Sequence, residues 1–216
     1  MLVLGLSDEI DPLIYSPRLR ILFSQVDLVI GCGDLPTHYL DFVVCQLDKP
    51  LYFVEGNHVS LDEEGNYHPG QEMHGGFDLH CRLARCNHYL LAGVAGSLRY
   101  SHGPFQYTQA EMWLNVIRLF PGLLRNKIFF GRSLDLFISH APPWGIHDQP
   151  DLTHRGIKAF RWFDQVFQPL IHLHGHIHYY RPDTVIETLF GKTRVINTYR
   201  FKKIELPPVN YVNRRK

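Results

Sequence analysis

The stretch LIHLHGHIH, residues 170–178, joins two features on which the reading of the whole chain turns. Residues 170–173 have the apolar density of a short buried strand. Behind them, His176 and His178 stand two positions apart, and side chains at that spacing share a face when the backbone is extended. The same design recurs upstream. LVLGL (2–6) runs into Ser7-Asp8, DLVIGCGD (27–34) ends at Asp34, LYFVEGNH (51–58) ends at Asn57-His58, and LDLFISHAPP (134–143) carries His140. Any one of these alone reads as a turn or a cap. Together they are apolar strands that each end in a carboxylate, an amide or an imidazole. In an α/β sheet, ligands bind outside the carboxyl ends of the strands. Five such ends therefore predict one rim that gathers oxygen and imidazole donors without thiolate, a hard-to-borderline metal set.

Between these segments the pattern alternates. Ser16-Pro17 reads as a helix start, with a helix over residues 17–25, and a second helix is predicted over 37–47. With strands at 2–6, 27–31 and 51–54, the β-α-β-α-β order predicts a parallel sheet with right-handed crossovers. Residues 59–76 read as an irregular loop and 89–94 as a strand. Thr108 and Glu111 fit a capping box that opens a helix with Met112, Val116, Leu119 and Phe120 on one face, which Pro121 should end or kink. A strand at 134–138, a long loop at 140–155, an amphipathic helix at 158–167 and a strand at 170–173 follow. The aromatics Trp113, Phe160, Trp162, Phe163 and Phe167 fall on helices and read as packing. TVIETL, TRVINTY and FKKIEL alternate with period two and predict an antiparallel meander. With no repeat or linker, residues 1–216 read as one α/β domain.

Composition narrows the class. Lys+Arg 22 against Asp+Glu 21 gives +1, so no basic stripe favours a nucleic-acid partner. No apolar run approaches the roughly 18 residues of a spanning helix, so no membrane partner is expected. The N-terminus lacks the basic region of a secretory signal. The four cysteines, Cys32, Cys45, Cys81 and Cys86, read as free thiols in a reducing cytoplasm; Cys81 and Cys86 could form half a zinc site, but packing is the better reading. The 14 histidines are the unusual count, and they fit metal binding and proton transfer near neutral pH.

The motifs resemble the calcineurin-like metallophosphoesterase superfamily. Its pattern is Asp-x-His, Gly-Asp, Gly-Asn-His-Asp/Glu, a later His, and Gly-His-x-His. Here stand Asp8, Gly33-Asp34, Gly56-Asn57-His58, His140 and Gly175-His176-Ile177-His178, over residues 1–200. The resemblance implies a sandwich of two β-sheets flanked by helices, with a dinuclear site at the strand ends. It implies that Asp34 bridges two divalent metals (Mn, Fe or Zn). Asp8 and His178 would hold the first, and Asn57, His140 and His176 the second. His58, catalytic but not a ligand, would face the leaving group or a nonbridging phosphate oxygen, neutralising developing charge or donating a proton. The activity implied is hydrolysis of a phosphomonoester or small phosphodiester by a metal-bound hydroxide. Two positions depart from the pattern: Ile10 stands for the His of Asp-x-His, and Val59 for the acid after Gly-Asn-His. The metal at the Asp8 side is therefore expected to be the weaker, with Glu9 or Asp11 as candidate substitutes. Those departures also motivate an alternative, a catalytically silent member of the fold that binds protein partners. A nuclease is the other rival, which the charge balance disfavours.

Substrate contacts are expected from Arg99 and Tyr100, with His102 beside them, because a cation after a strand can hold phosphate. His147, with Asp148 and His154, lies in the loop after His140 and is expected on the cleft wall. His74 or His80 could approach the metals from the irregular middle, whereas His38, His68, His88 and His172 read as ordinary structural positions.

Overall fold

Strands that are apolar at consecutive positions need cover on both faces, and the fold supplies it with two stacked sheets and helices outside each. The computed structural model describes residues 1–58, 75–181 and 183–209. In chain order the elements are β1 (Leu2–Ser7), α1 (Leu19–Leu22), β2 (Leu28–Gly31), α2 (Thr37–Leu47), β3 (Leu51–Phe53), β4 (Gly76–Asp78), β5 (Arg82–Cys86), β6 (Tyr89–Val94), β7 (Ser97–Leu98) and β8 (Gln106–Tyr107). There follow α3 (Gln109–Ile117), α4 (Phe120–Phe130), β9 (Leu136–Ser139), α5 (Lys158–Phe167), β10 (Ile171–His174), β11 (Glu187–Phe190), β12 (Thr193–Asn197) and β13 (Arg200–Glu205). The first sheet runs β13-β1-β2-β3-β4 and the second β11-β12-β10-β9-β6-β5, while β7 and β8 pair separately.

The strand alternation divides the core into layers. In β1, Val3 joins the core between the sheets, while Leu4 and Leu6 face the cluster that includes Leu19 of α1 and Tyr39, Leu40 and Val43 of α2. In β9, Leu136 and Ile138 join the inter-sheet core, and Phe137 turns outward to Phe160 and Phe163 of α5. All three of these rings are fully buried, and each contributes roughly 1.5–3 kcal/mol by leaving water. Trp113, Trp162, Phe120 and Phe167 pack ring on ring across α3, α4 and α5, the packing role expected of them.

Strands β1, β2 and β3 pair in parallel as predicted, and α2 spans the expected residues. The capping box forms: Thr108 Oγ1 accepts from Glu111 N at 3.2 Å, and Glu111 Oε2 accepts from Thr108 N at 2.7 Å. Other elements differ. Only Leu19–Leu22 is helical in the first predicted helix. Ser16 Oγ donates back to the Leu13 carbonyl instead of capping the predicted start. Pro121 does not close the helix before it but sits in the first turn of α4, where its missing N–H has no intrahelical partner to lose. The predicted meander is also corrected. β11 and β12 form an antiparallel hairpin, but β13 crosses to the first sheet and pairs antiparallel with β1 over Leu2–Ser7. There it covers an edge that would otherwise be open and sends Ile204 into the inter-sheet core. The irregular stretch ends in β4 and β5, which puts Cys86 in the core; all four cysteines are unpaired. Val59, His68, His74, most of the 59–76 loop and the basic tail lie outside the described residues. No helix among the described residues is long and apolar enough to cross a membrane.

Candidate metal centre

The parallel strands of both sheets deliver their carboxyl ends to one rim. Asp8 follows β1, Asp34 follows β2, Asn57 and His58 follow β3, His140 follows β9, and His176 follows β10. Backbone geometry aims them: Asp8, Asp34 and His176 have φ of 66°, 54° and 67°, a left-handed region that non-glycine residues seldom occupy outside special sites. The approach is close enough to require glycine. A Cβ at Gly33 (φ 93°) would lie 2.5 Å from His140 Nδ1, and one at Gly56 would overlap the Asp34 carboxylate.

Asp34, His140 and His176 bring ligand atoms within 4.8 Å of one another. His140 Nε2 is 3.3 Å from Asp34 Oδ2, 3.1 Å from Asn57 Oδ1 and 3.2 Å from His176 Nδ1. The outer nitrogens of both rings are committed. His140 Nδ1 donates to the Cys32 carbonyl at 2.8 Å, and His176 Nε2 donates to the Thr153 carbonyl at 2.8 Å. In the neutral form that cation binding requires, each inward nitrogen is thereby left as the lone-pair side of its imidazole. Two nitrogens and two oxygens facing one point, with no donor of their own between them, fit a divalent cation of the borderline class. Neither Cys32 nor Thr153 was recognisable in the sequence, because backbone carbonyls carry no residue signature.

The electrostatics match the crowding. Burial alone would raise the Asp34 carboxyl, but the His140 charge, its hydrogen bond and the His58 N–H hold it below the usual carboxylate range. Burial alone would lower His140, but Asp34 raises it to about 9. Burial, followed by the His140 charge, lowers His176 to about 4. Burial also pushes Glu55 up to about 7.

Asp8 lies outside the trio whose ligand atoms fall within 4.8 Å of one another. Both of its carboxylate oxygens accept from His176 N, at 2.9 and 3.1 Å, and His178 Nε2 is 3.8 Å from Oδ1. A hydrogen bond to Asp8, ahead of an opposing effect of burial, raises His178. Its Nδ1 lies 3.2 Å from the Tyr180 hydroxyl, and its ring stacks on Tyr199. Neither candidate substitute for the absent imidazole turns inward. Glu9 accepts from Tyr199 OH at 2.6 Å, and Asp11 pairs with Arg200 Nε at 3.1 Å. Among the described residues, no second full ligand set forms beside Asp8.

The expected substrate contacts separate. Tyr100 reaches the cluster: its hydroxyl is 2.9 Å from Asn57 Nδ2 and 3.2 Å from His58 Nε2. Arg99 instead donates to both Glu111 oxygens, at 3.2 and 3.0 Å. His147 Nδ1 donates to His174 Nε2 at 2.8 Å, and its Nε2 accepts from Thr188 at 2.9 Å. Asp148 binds the Gly145 and Gly156 amides, and His154 pairs with Asp151. His80 accepts from Ala95 N and stacks on Tyr107. His172 joins Asp164 (2.7 Å) to Ser139 (2.8 Å) beneath the His140 loop.

Comparison with known proteins places the fold. The family model described as calcineurin-like phosphoesterase matches residues 13–180. The structure of TT1561 of Thermus thermophilus superposes with a TM-score of 0.63 at 14% identity, covering 95% of this chain and 99% of that one. A hypothetical protein from Thermus thermophilus gives 0.51 at 18% identity, covering 91% and 75%. Vps29 complexed with Zn+2 from Entamoeba histolytica gives 0.42 at 12% identity, covering 92% and 74%. No curated protein matches the sequence significantly.

Proposed function

This chain belongs to the calcineurin-like phosphoesterase family, and on that premise we propose that it is a metal-dependent phosphoesterase acting on a phosphomonoester or a small phosphodiester. One observation supports this most: the inward nitrogens of His140 and His176 face Asp34 and Asn57 while their outer nitrogens are tied to carbonyls. In this reading those four residues hold a divalent cation, Mn, Fe or Zn, and Asp8 with His178 holds a second one weakly. The cation supplies Lewis acidity at the phosphoryl group and acidifies a water. His58, exposed beside the cluster, moves a proton to the leaving oxygen. Tyr100 borders the cluster directly. Arg99 reaches a substrate phosphate only by releasing Glu111, and His147 only by releasing His174 or Thr188. The whole chain, 1–216, acts as one domain. Four unpaired cysteines fit a cytoplasmic setting.

Ile10 and the capture of Glu9 by Tyr199 favour a second reading, a member of the fold without turnover that binds protein partners. Hydrolysis of an aryl phosphate separates the two. The enzyme shows turnover that depends on added Mn, and His58→Ala lowers kcat by roughly 10²–10⁴-fold with its metal content unchanged. Absence of turnover with Mn, Fe and Zn alike selects the binding module.

A further inference from the structure

An asparagine amide can present either of two atoms to a pocket. With its oxygen inward, Asn57 is a metal ligand. With its nitrogen inward, it donates to Nε2 of a neutral His140, the form that cation binding requires and whose partner nitrogen is already committed to Cys32, and the closed pair has no use for a cation. The outcome depends on what the other end of the amide meets. Here Nδ2 lies 2.9 Å from the Tyr100 hydroxyl oxygen, and Oδ1 is 3.1 Å from His140 Nε2. The same hydroxyl lies 3.2 Å from His58 Nε2. A hydroxyl has one proton and two lone pairs. When His58 Nε2 is unprotonated and takes that proton, Tyr100 offers Asn57 only lone pairs, which accept from the amide nitrogen and repel the amide oxygen.

The hydroxyl is delivered by a braced segment. Gln106 Oε1, on a residue 6% exposed, accepts from Tyr100 N at 3.2 Å and from Ser101 N at 2.8 Å. Arg99, the preceding residue, is tied to Glu111 at the start of α3. Tyr100 and Asn57 are 43 residues apart, so only the fold brings the acceptor to the amide.

We propose that Tyr100 is a positioning residue that holds the Asn57 amide with its oxygen toward Asp34, His140 and His176. This rests on the reading of that cluster as a metal centre. It assigns Tyr100 to the metal ligand rather than to a substrate phosphate. The test is calorimetric titration of Mn2+ and Zn2+ into metal-free wild type, Y100F, N57D and the double variant. Y100F weakens cation affinity roughly 10- to 100-fold. A carboxylate offers oxygen whichever way it turns, so in the N57D background the same loss of the hydroxyl changes affinity by no more than roughly 2-fold. Equal losses in both backgrounds, or no loss in the first, overturn the proposal. A raised KM of Y100F for the aryl phosphate, with affinity for the cation intact, overturns it in favour of a substrate contact. A wild type that takes up neither cation overturns the metal centre itself, and the first titration shows this before any variant is compared.

Discussion

At Asp8, Asp34 and His176 the backbone takes a conformation that costs of order 1–3 kcal/mol where non-glycine side chains must hold it. Its effect is to turn two carboxylates and an imidazole back toward the rim. The resulting crowding gives His140 a pH signature. Its pKa of about 9 is raised above the ordinary value of 6.5 despite burial, because Asp34 lies beside it. A base whose pKa rises on folding stabilises the fold below its unfolded value and loses that contribution as pH climbs through the folded one. Asp34, held low, contributes above about 3.9, so its contribution is lost only in acid. A cation needs neutral imidazole, so its binding strengthens as protons leave. Metal-free protein should therefore lose Tm between pH 6.5 and 9, while the Tm gain on adding Mn2+ grows across the same interval. A gain independent of pH would contradict the assignment of His140 as a ligand.

Among elements, β9, β10 and α5 are fastened by polar atoms inside an apolar layer. Asp164 of α5, His172 of β10 and Ser139 of β9 are fully buried and hydrogen-bonded in series, and Ser139 Oγ also donates to the Ala141 carbonyl at 2.7 Å. The chain of contacts ends next to His140, so polar bonds as well as apolar packing tie α5 to the loop that carries it. Asp164→Ala leaves His172 buried without its partner and should cost about 3–5 kcal/mol; urea unfolding measures it. A loss within the error of that measurement would mean that the bond is not structural. Elements with a complete local signal were legible beforehand, α3 from its capping box and α5 from its amphipathic spacing. α4 was hidden because the apolar spacing of Leu119 and Phe120 continues that of α3, while Pro121 marks a helix start as readily as an end.

For the molecule as a whole, two sheets meet with their parallel strand ends on one rim, and the rim is lopsided. One side gathers Asp34, Asn57, His140 and His176; on the other, Asp8 has His178 at 3.8 Å, while Glu9 and Asp11 are drawn off by Tyr199 and Arg200. After exhaustive dialysis, one cation per chain should be retained, as counted by elemental mass spectrometry. Two cations held with equal tenacity would show that Asp8 and His178 suffice without the imidazole that Ile10 replaces.

Reading the chain as a linear text was enough to find the parallel strands, their polar ends and the donor types, because strand burial and turn chemistry are local and leave a periodic trace. It was also enough to see that Ile10 cannot ligate. Three things became visible only once the chain was folded: the crossing of β13 to β1, the carbonyls of Cys32 and Thr153 that set the imidazole tautomers, and the Tyr100 hydroxyl beside Asn57. Each joins segments far apart in the chain. Backbone carbonyls are alike at every residue, and a single hydroxyl has no periodicity, so their partners are determined by packing rather than by neighbours in sequence.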